Sequence, residues 1–274
     1  MRISLTQVAA CPTYFTPLQV HCRELLQLGS VSWVGWMREH VVSIQKMIAE
    51  YSASVVVAGC SLEYKGPCLF HDGEVINIRT HSSVLKKGIL IQGNSDFFLD
   101  SHPLASFKIY FRPVNIGDHT SSAATSGHLN PDIQSLFTPE ERSDLMPQRF
   151  VKQNMSKIES EGMLIATHQE PFRLNRYAMD FADQWAFIES AAFCSVSREA
   201  LAISGGEHFD KLVTGISKPL QSYHLDLKKP YFLLDEGLVD TKVYILRDDI
   251  FYVHRLMGTN NELHAVAIEQ FNYK

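Results

Sequence analysis

The sequence is short of the features that mark specialised classes. Twenty-five lysines and arginines face 30 aspartates and glutamates, a formal charge of −5, and no basic block gathers anywhere. The electrostatic footprint of a nucleic-acid binder is therefore missing. No run approaches the roughly 18–20 apolar residues of a membrane span, and Met1-Arg-Ile-Ser-Leu-Thr-Gln7 has no apolar core of the secretory kind. Only five cysteines occur in 274 residues, and Cys11, Cys22, Cys60, Cys68 and Cys194 form no metal-type pair. His208, His254 and His264 show no ligand spacing, so no metal is expected. These absences leave a soluble protein of the reducing cytoplasm, long enough for two units of about 100–150 residues.

What is present centres on Asp180–Ser197. Asp180 and Asp183 are of the type that caps a helix N-terminus, since a carboxylate accepts from its free N–H groups. Trp185, Ile188, Ala192 and Val196 then recur at helical steps, with Phe187, Ala191 and Cys194 on the flank, which predicts a buried helix over 180–201. Glu189 lies inside this apolar stretch. Unpaired, its charge would cost several kcal/mol or force its pKa upward. It either answers a backbone group or an arginine in the core, or it serves a site.

The rest of the chain falls into two similar halves. Leu18–Leu26 alternates like a strand, Gly29-Ser30 ends it, and Ser32 is placed to cap a helix bearing Val34, Met37, Val41, Ile44 and Ile48 on one stripe. Strand-like runs follow at 54–65, 74–82, 88–99 and 102–114. In the second half a strand at 163–174 precedes the 180–201 helix, Ser204-Gly-Gly206 is a stop signal, and strands follow at 221–229, 237–246, 250–257 and 262–271. Helix first and meander second is an α+β signature.

The two halves also match in residues. Leu62-Glu-Tyr-Lys-Gly-Pro67 and Leu225-Asp-Leu-Lys-Lys-Pro230 share Leu, an acid, Lys and Pro in register, and Asp72 and Asp235 each follow their proline by five positions. Ala105–Phe111 can be set beside Ala265–Phe271. This pattern predicts an internal duplication packed about a pseudo-twofold axis: one unit over 1–117, a linker over 118–160 with Ser121–Gly127 exposed and Thr138-Pro-Glu-Glu141 starting a helix, and a second unit over 161–274.

A long buried helix followed by an antiparallel meander, twice over, resembles the double-hotdog proteins. The resemblance implies a tandem hotdog, with two antiparallel sheets each wrapped around a central helix in a pseudo-dimer. Glu170-Pro-Phe172 and Trp185-Ala-Phe-Ile-Glu-Ser-Ala-Ala192 resemble the β-hydroxyacyl-carrier-protein dehydratases, and by that match Glu189 falls on the family's helix acid. The family's histidine would fall at Asn175 or Arg176, and its Pro-Gly is replaced by Asp183-Gln184. The acyl-thioesterase branch expects an acid with Gly-His or Asn-His at the helix start, and Gly29-Ser-Val-Ser32 lacks that histidine. If one half supplies the histidine and the other the acid, His21 is the partner for Glu189. The mirror-image site would pair Asn175 or Arg176 with Glu39.

The chemistry so implied is that of an acyl thioester. Amides near Gln184 at a helix N-terminus would polarise the carbonyl, and Glu189, His21 or Asp183 would move the proton. Trp185, Ser32, Asn175 and Arg176 would contact substrate. The expected activity is dehydration or hydration, or hydrolysis, in fatty-acid or polyketide-type biosynthesis. The acyl group is carried on coenzyme A or an acyl-carrier protein, with no further cofactor, and the chain works alone or as a homo- or hetero-oligomer. Lys86-Lys87 and Lys228-Lys229 are pairs that meet a phosphate or an acidic carrier, or lie solvated. The alternative from another class is a hotdog protein that has lost catalysis and binds an acyl carrier or serves as a structural subunit.

Overall fold

The computed structural model describes residues 1–116, 124–146, 148–181, 183–204 and 208–272. Strand β1 (Ser4–Ala9) leads through a 3-10 turn to helix α1 (Cys22–His40) and the short α2 (Ile44–Tyr51), followed by β2 (Ala53–Tyr64), β3 (Val75–Leu85), β4 (Leu90–Leu99) and β5 (His102–Ile116). A connecting region holds β6 (Ala124–Ser126), α3 (Pro131–Ser135), β7 (Arg142–Ser143) and α4 (Phe150–Glu161). The second half repeats the order: β8 (Met163–Arg173), α5 (Ser190–Ser204), α6 (Phe209–Ile216), β9 (Leu220–Leu227), β10 (Glu236–Leu246), β11 (Asp249–Gly258) and β12 (Leu263–Asn272).

The halves share one sheet. Its order is β1-β3-β4-β5-β2-β9-β12-β11-β10-β8, with β6 added on β5 and β7 on β3. The expected two sheets meet at antiparallel β2 and β9, paired from Gly59–Asp226 to Glu63–Ser222. An edge strand left open at that point would expose a row of unpaired backbone groups, and pairing with its own duplicate removes them. Helix α1 lies against β1, β3, β4 and β5, α5 lies against β8 and β10, and the two helices touch. One hydrophobic core runs through both units, from Trp33 and Phe107 to Leu225 and Tyr252.

The duplication holds at the level of registry. Leu62 faces Phe107 across β2 and β5, and Leu225 faces Ala267 across β9 and β12. Lys65 N–H donates to Leu104 O at 2.9 Å, and Lys228 N–H to His264 O at 2.7 Å. Asp72 accepts from Leu69 N–H at 2.7 Å and Asp235 from Phe232 N–H at 2.8 Å. Both aspartates are turn residues. In the cores, Ser32 bonds Thr80 at 2.7 Å, and its counterpart Ser197 bonds Thr241 at 2.7 Å.

Three local expectations are corrected. Leu18–Leu26 is not a strand, because α1 starts at Cys22 with Leu25, Leu26, Gly29, Ser32, Trp33, Trp36 and Met37 on its buried stripe. Burial along that stripe overrides the Gly-Ser stop signal: a Cβ at Gly29 would strike the Phe107 ring. The predicted single helix also breaks, since Ser43 caps α2 by accepting from Lys46 N–H at 3.2 Å. In the second half the helix begins at Ser190, not Asp180, and a 3-10 turn, Phe187–Glu189, feeds it.

The segment between the halves is built into the structure. Residues 121–123 of the Ser121–Gly127 run, and Gly205-Gly206 of the second stop signal, lie outside the described residues; Ala124–Ser126 pair with β5. Thr138-Pro-Glu-Glu141 forms a 3-10 turn whose buried Glu141 receives Arg2 at 2.6 Å. Helix α4 lays Val151 and Ile158 on Tyr244, Val253, Val266 and Ile268, covering the sheet face opposite the core helices.

Candidate active site

The seam between the halves opens into a cleft of about 720 Å³. One wall comes from the first half and is mostly apolar, with Val31 and Val34 of α1, Val55–Ala58 of β2 and Val114 of β5 joined by Gln27, Ser30 and Arg112. Val31 and Val34 lie off the buried stripe of α1 and are 59% and 40% exposed. The other wall comes from the second half: Asp180, Phe181, Gln184–Ile188, and the β9–β10 connection with Lys228, Lys229, Pro230 and Phe232. The cleft is therefore composite, and within the range of volumes that hold small-molecule ligands.

The sequence-predicted residues are distributed unevenly about it. Gln184 and Trp185 line the cleft. Trp185 is buried, stands edge-on to Tyr231 at 5.6 Å, and among the described residues its indole N–H has no partner. Asp183 caps no helix: it has left-handed backbone, φ 54°, and turns outward to an ion pair with Arg176. Arg176 is exposed, and Asn175 caps the 3-10 turn Arg176–Ala178 by accepting from Tyr177 N–H at 3.0 Å. Ser32 is neither a cap nor a substrate contact. It is buried in the middle of α1, held by Thr80 and, at 3.2 Å, by Thr6.

Neither His21 nor Glu189 is among the residues lining the cleft. His21 is exposed and precedes α1 as its N-cap residue, with its N–H on Tyr14 O at 2.7 Å. Its counterpart is Ala186, whose N–H reaches Ala178 O at 2.8 Å. This registry makes Glu24, not Glu39, the equivalent of Glu189. Glu39 instead accepts from the Ser4 hydroxyl at 2.6 Å.

Glu189 is not a lone acid. Arg23 Nη2 lies 2.6 Å from its Oε1, and Arg23 Nε donates to both its oxygens at 3.1 and 3.2 Å. Arg23 Nη1 also reaches Glu24 at 2.9 Å. One guanidinium from the first half thus sits between two equivalent carboxylates, one from each half. A planar fork of N–H groups suits that geometry. The sequence signal for the partner was Arg23 itself, the one arginine in the first turn of α1.

Two further carboxylates lie by the seam. Asp180 lines the cleft, and its Oδ1 accepts from Gln184 N–H at 3.2 Å. Asp226, on the seam strand β9, has its pKa raised by burial although Lys228, Arg149 and Arg112 pull it down. Among the described residues, no histidine lines the cleft. Among the described residues no cluster of His, Cys, Asp and Glu is placed to hold a metal, and no helix is long and apolar enough to cross a membrane.

The repeated helix, the shared sheet and the seam cleft define a double-hotdog fold. No protein-family model matches the sequence, and no curated protein matches it. Solved structures match in shape. A protein from Lactobacillus plantarum, provisionally assigned as an oleoyl thioesterase, superposes with a TM-score of 0.75 at 9% identity over 99% of this chain and 96% of its own. The 12:0-ACP thioesterase from Umbellularia californica gives 0.70 at 8% identity over 99% and 94%. An acyl-ACP thioesterase from Bacteroides thetaiotaomicron gives 0.65 at 12% identity over 98% of both chains. At these identities the likeness is one of fold, and it spans both halves.

Proposed function

We propose that the seam cleft binds an acyl thioester and that the reaction is hydrolysis. The observation that carries this reading is the composite cleft: a mostly apolar wall suited to an acyl chain faces a helix entrance and a carboxylate. Phe187 and Ile188, the first residues of the turn feeding α5, line it. The first N–H groups of such a turn have no partner within it, so they are available to a carbonyl oxygen and to the oxyanion that forms on it. Asp180 is the base: it takes a proton from water, the water oxygen bonds to the acyl carbon, and the carbon–sulfur bond breaks to release a thiolate that is then protonated. Gln184 and Trp185 flank the reacting group. The structural neighbours named as thioesterases support the same chemistry.

Hydrolysis is preferred over dehydration because a carboxylate and, among the described residues, no imidazole lines the cleft. Thiol release from a panel of acyl thioesters tests it. Asp180→Asn should lower kcat by about 10²-fold or more, the range a general base contributes, and unchanged turnover would remove Asp180 from the mechanism. The second reading, a binding protein without turnover, is favoured by the Arg23 clamp on Glu189. It predicts saturable binding of acyl thioesters with no thiol release from any of them.

A further inference from the structure

A second cavity, of about 240 Å³, lies between α4 and the strands β9 to β12, on the sheet face turned away from the core helices. His224 of β9 forms part of its floor and is 8% exposed. Phe150 stacks on the ring at 6.0 Å, and Nδ1 lies 2.9 Å from the Ser61 hydroxyl across the seam. Ser61 is buried, and among the described residues this nitrogen is its hydroxyl's one side-chain partner. A buried hydroxyl hydrogen left unpaired is costly, so Ser61 donates and Nδ1 accepts. Burial lowers the His224 pKa while Glu63 raises it, and burial wins, so the ring is neutral at neutral pH. Its one proton then sits on Nε2, which has no hydrogen-bond partner among the described residues. A buried donor is left facing the cavity.

Other donors surround it. Asn154 and Lys157 come from α4, three positions apart on one face, and Arg247 from the turn between β10 and β11. Asp249 is the opposing charge in the lining; its Oδ2 accepts from Gln270 at 2.9 Å, and Asp248 lies just outside. Two cations against one acid leave the lining at a formal charge of +1. Ile158, Leu246, Phe251 and Ile268 supply apolar wall. At roughly 30 Å³ per water the space equals that of about eight waters, the size of a compact organic acid and not of a nucleotide.

We propose that this cavity binds a small monocarboxylate, its oxygens meeting the donors of His224, Lys157 and Arg247 and its apolar body lying against Phe251 and Ile268. A planar carboxylate matches the guanidinium fork, and an apolar body covers walls that inorganic phosphate would leave bare. The inference does not rest on the thioester reading, since the cavity and the cleft share no lining residue.

Calorimetric titration of the full chain with benzoate and hexanoate, each beside its neutral amide, tests it. At least one acid should bind saturably and about tenfold or more tighter than its own amide, the increment of a charge-assisted hydrogen bond. Lys157 and Arg247 are exposed, so Lys157→Gln/Arg247→Gln should keep the fold while lowering that affinity about tenfold or more. Asp249→Asn removes the opposing charge and should raise it about threefold. Arg38→Ala/Lys46→Ala removes two cations elsewhere and should leave it unchanged. In the native chain the imidazole resonance of His224 should shift along the titration. Neither acid binding, an affinity shared with the amide, an affinity that Lys157→Gln/Arg247→Gln does not alter, or a His224 resonance unmoved at saturation overturns the proposal. Inorganic phosphate bound as tightly as the acids, and lost in the same variant, overturns the carboxylate assignment.

Discussion

Replacing Glu269 by Gln should destabilise the fold, because it strands a buried partner charge. Glu269 is 3% exposed, and Arg198, beside it, is 12% exposed. The carboxylate takes the guanidinium of Arg198 and lies 3.2 Å from Nε2 of the buried His254, whose Nδ1 meets Thr241 at 2.8 Å. Burial alone would raise the Glu269 pKa, but Arg198 and His254 outweigh it and hold the group at about 2. Deleting one partner of a buried pair strands the other charge, at a cost of about 3–5 kcal/mol. In a chain of this size that is a fall in Tm of roughly 10 °C. The depressed carboxyl pKa points the same way, since a group ionised more readily in the fold than in the unfolded chain stabilises the fold at neutral pH. Because the folded value is depressed, this contribution is complete above the unfolded pKa and is lost as pH falls through about 4 toward 2. Glu269→Gln should therefore flatten the acid limb of the stability profile, and denaturant melts from pH 7 to 2.5 measure both effects. Arg198→Met/Glu269→Gln removes both charges, keeps an acceptor for His254, and should return to within about 1–2 kcal/mol of the native chain. A loss under 1 kcal/mol in Glu269→Gln, or a double variant as weak as the sum of the singles, would refute the reasoning.

Three further outcomes follow from the geometry. Gly29→Cys, importing the counterpart residue Cys194, should destabilise by about 1–3 kcal/mol, because its side chain enters the Phe107 ring. Adding Phe107→Ala, the counterpart of Ala267, should couple favourably in a double-mutant cycle. Val34→Trp, at a 40% exposed position on the cleft wall, should leave Tm within about 1 °C and raise KM for long acyl chains more than for short ones. Glu189→Gln should leave kcat near the native value, since the acid is committed to Arg23.

How much of this was written in the chain depends on the kind of signal. The duplication was legible because it rests on short runs that structure preserves in register: the Leu-acid-x-Lys-x-Pro pair, and Ala105–Phe111 against Ala265–Phe271, both lie in equivalent ladders. The helix starts were not. Asp180 and Asp183 have capping chemistry, but they organise a turn before α5, where Asp180 N–H donates to Gln184 O at 2.8 Å. Gly29 and Ser30 have the composition of a stop, but at Gly29 the missing side chain is what lets α1 press on Phe107. The acid at 189 reads from the sequence as a charge in an apolar stretch; it is half-buried, and its partner lies 166 positions upstream, a pairing no local pattern encodes. The wet side of the cleft was visible only in part, since Lys228-Lys229 reads as ordinary surface until β9 is known to end at the seam.

The clamp on the pseudo-axis yields the sharpest test of how the halves depend on one another. Arg23→Met removes the one cation between Glu24 and Glu189, whose side chains are 19% and 16% exposed. Exposed pairs contribute up to about 1 kcal/mol and buried ones about 3–5, so a site open to this degree should lose about 1–3 kcal/mol at pH 7. Part of that loss is repulsion between two carboxylates that now face each other, and like charges raise the pKa of at least one. A carboxyl raised in the folded state binds its proton more tightly there than in the unfolded chain. The variant's deficit should therefore shrink as pH falls from 7 toward 4 and grow as it rises again. Arg23→Met/Glu189→Gln removes one of the opposed charges and should recover stability at pH 7 that Arg23→Met alone has lost. A deficit that stays constant across this range, or a double variant weaker than the single, would mean that the two acids do not feel each other and that Arg23 serves one half alone.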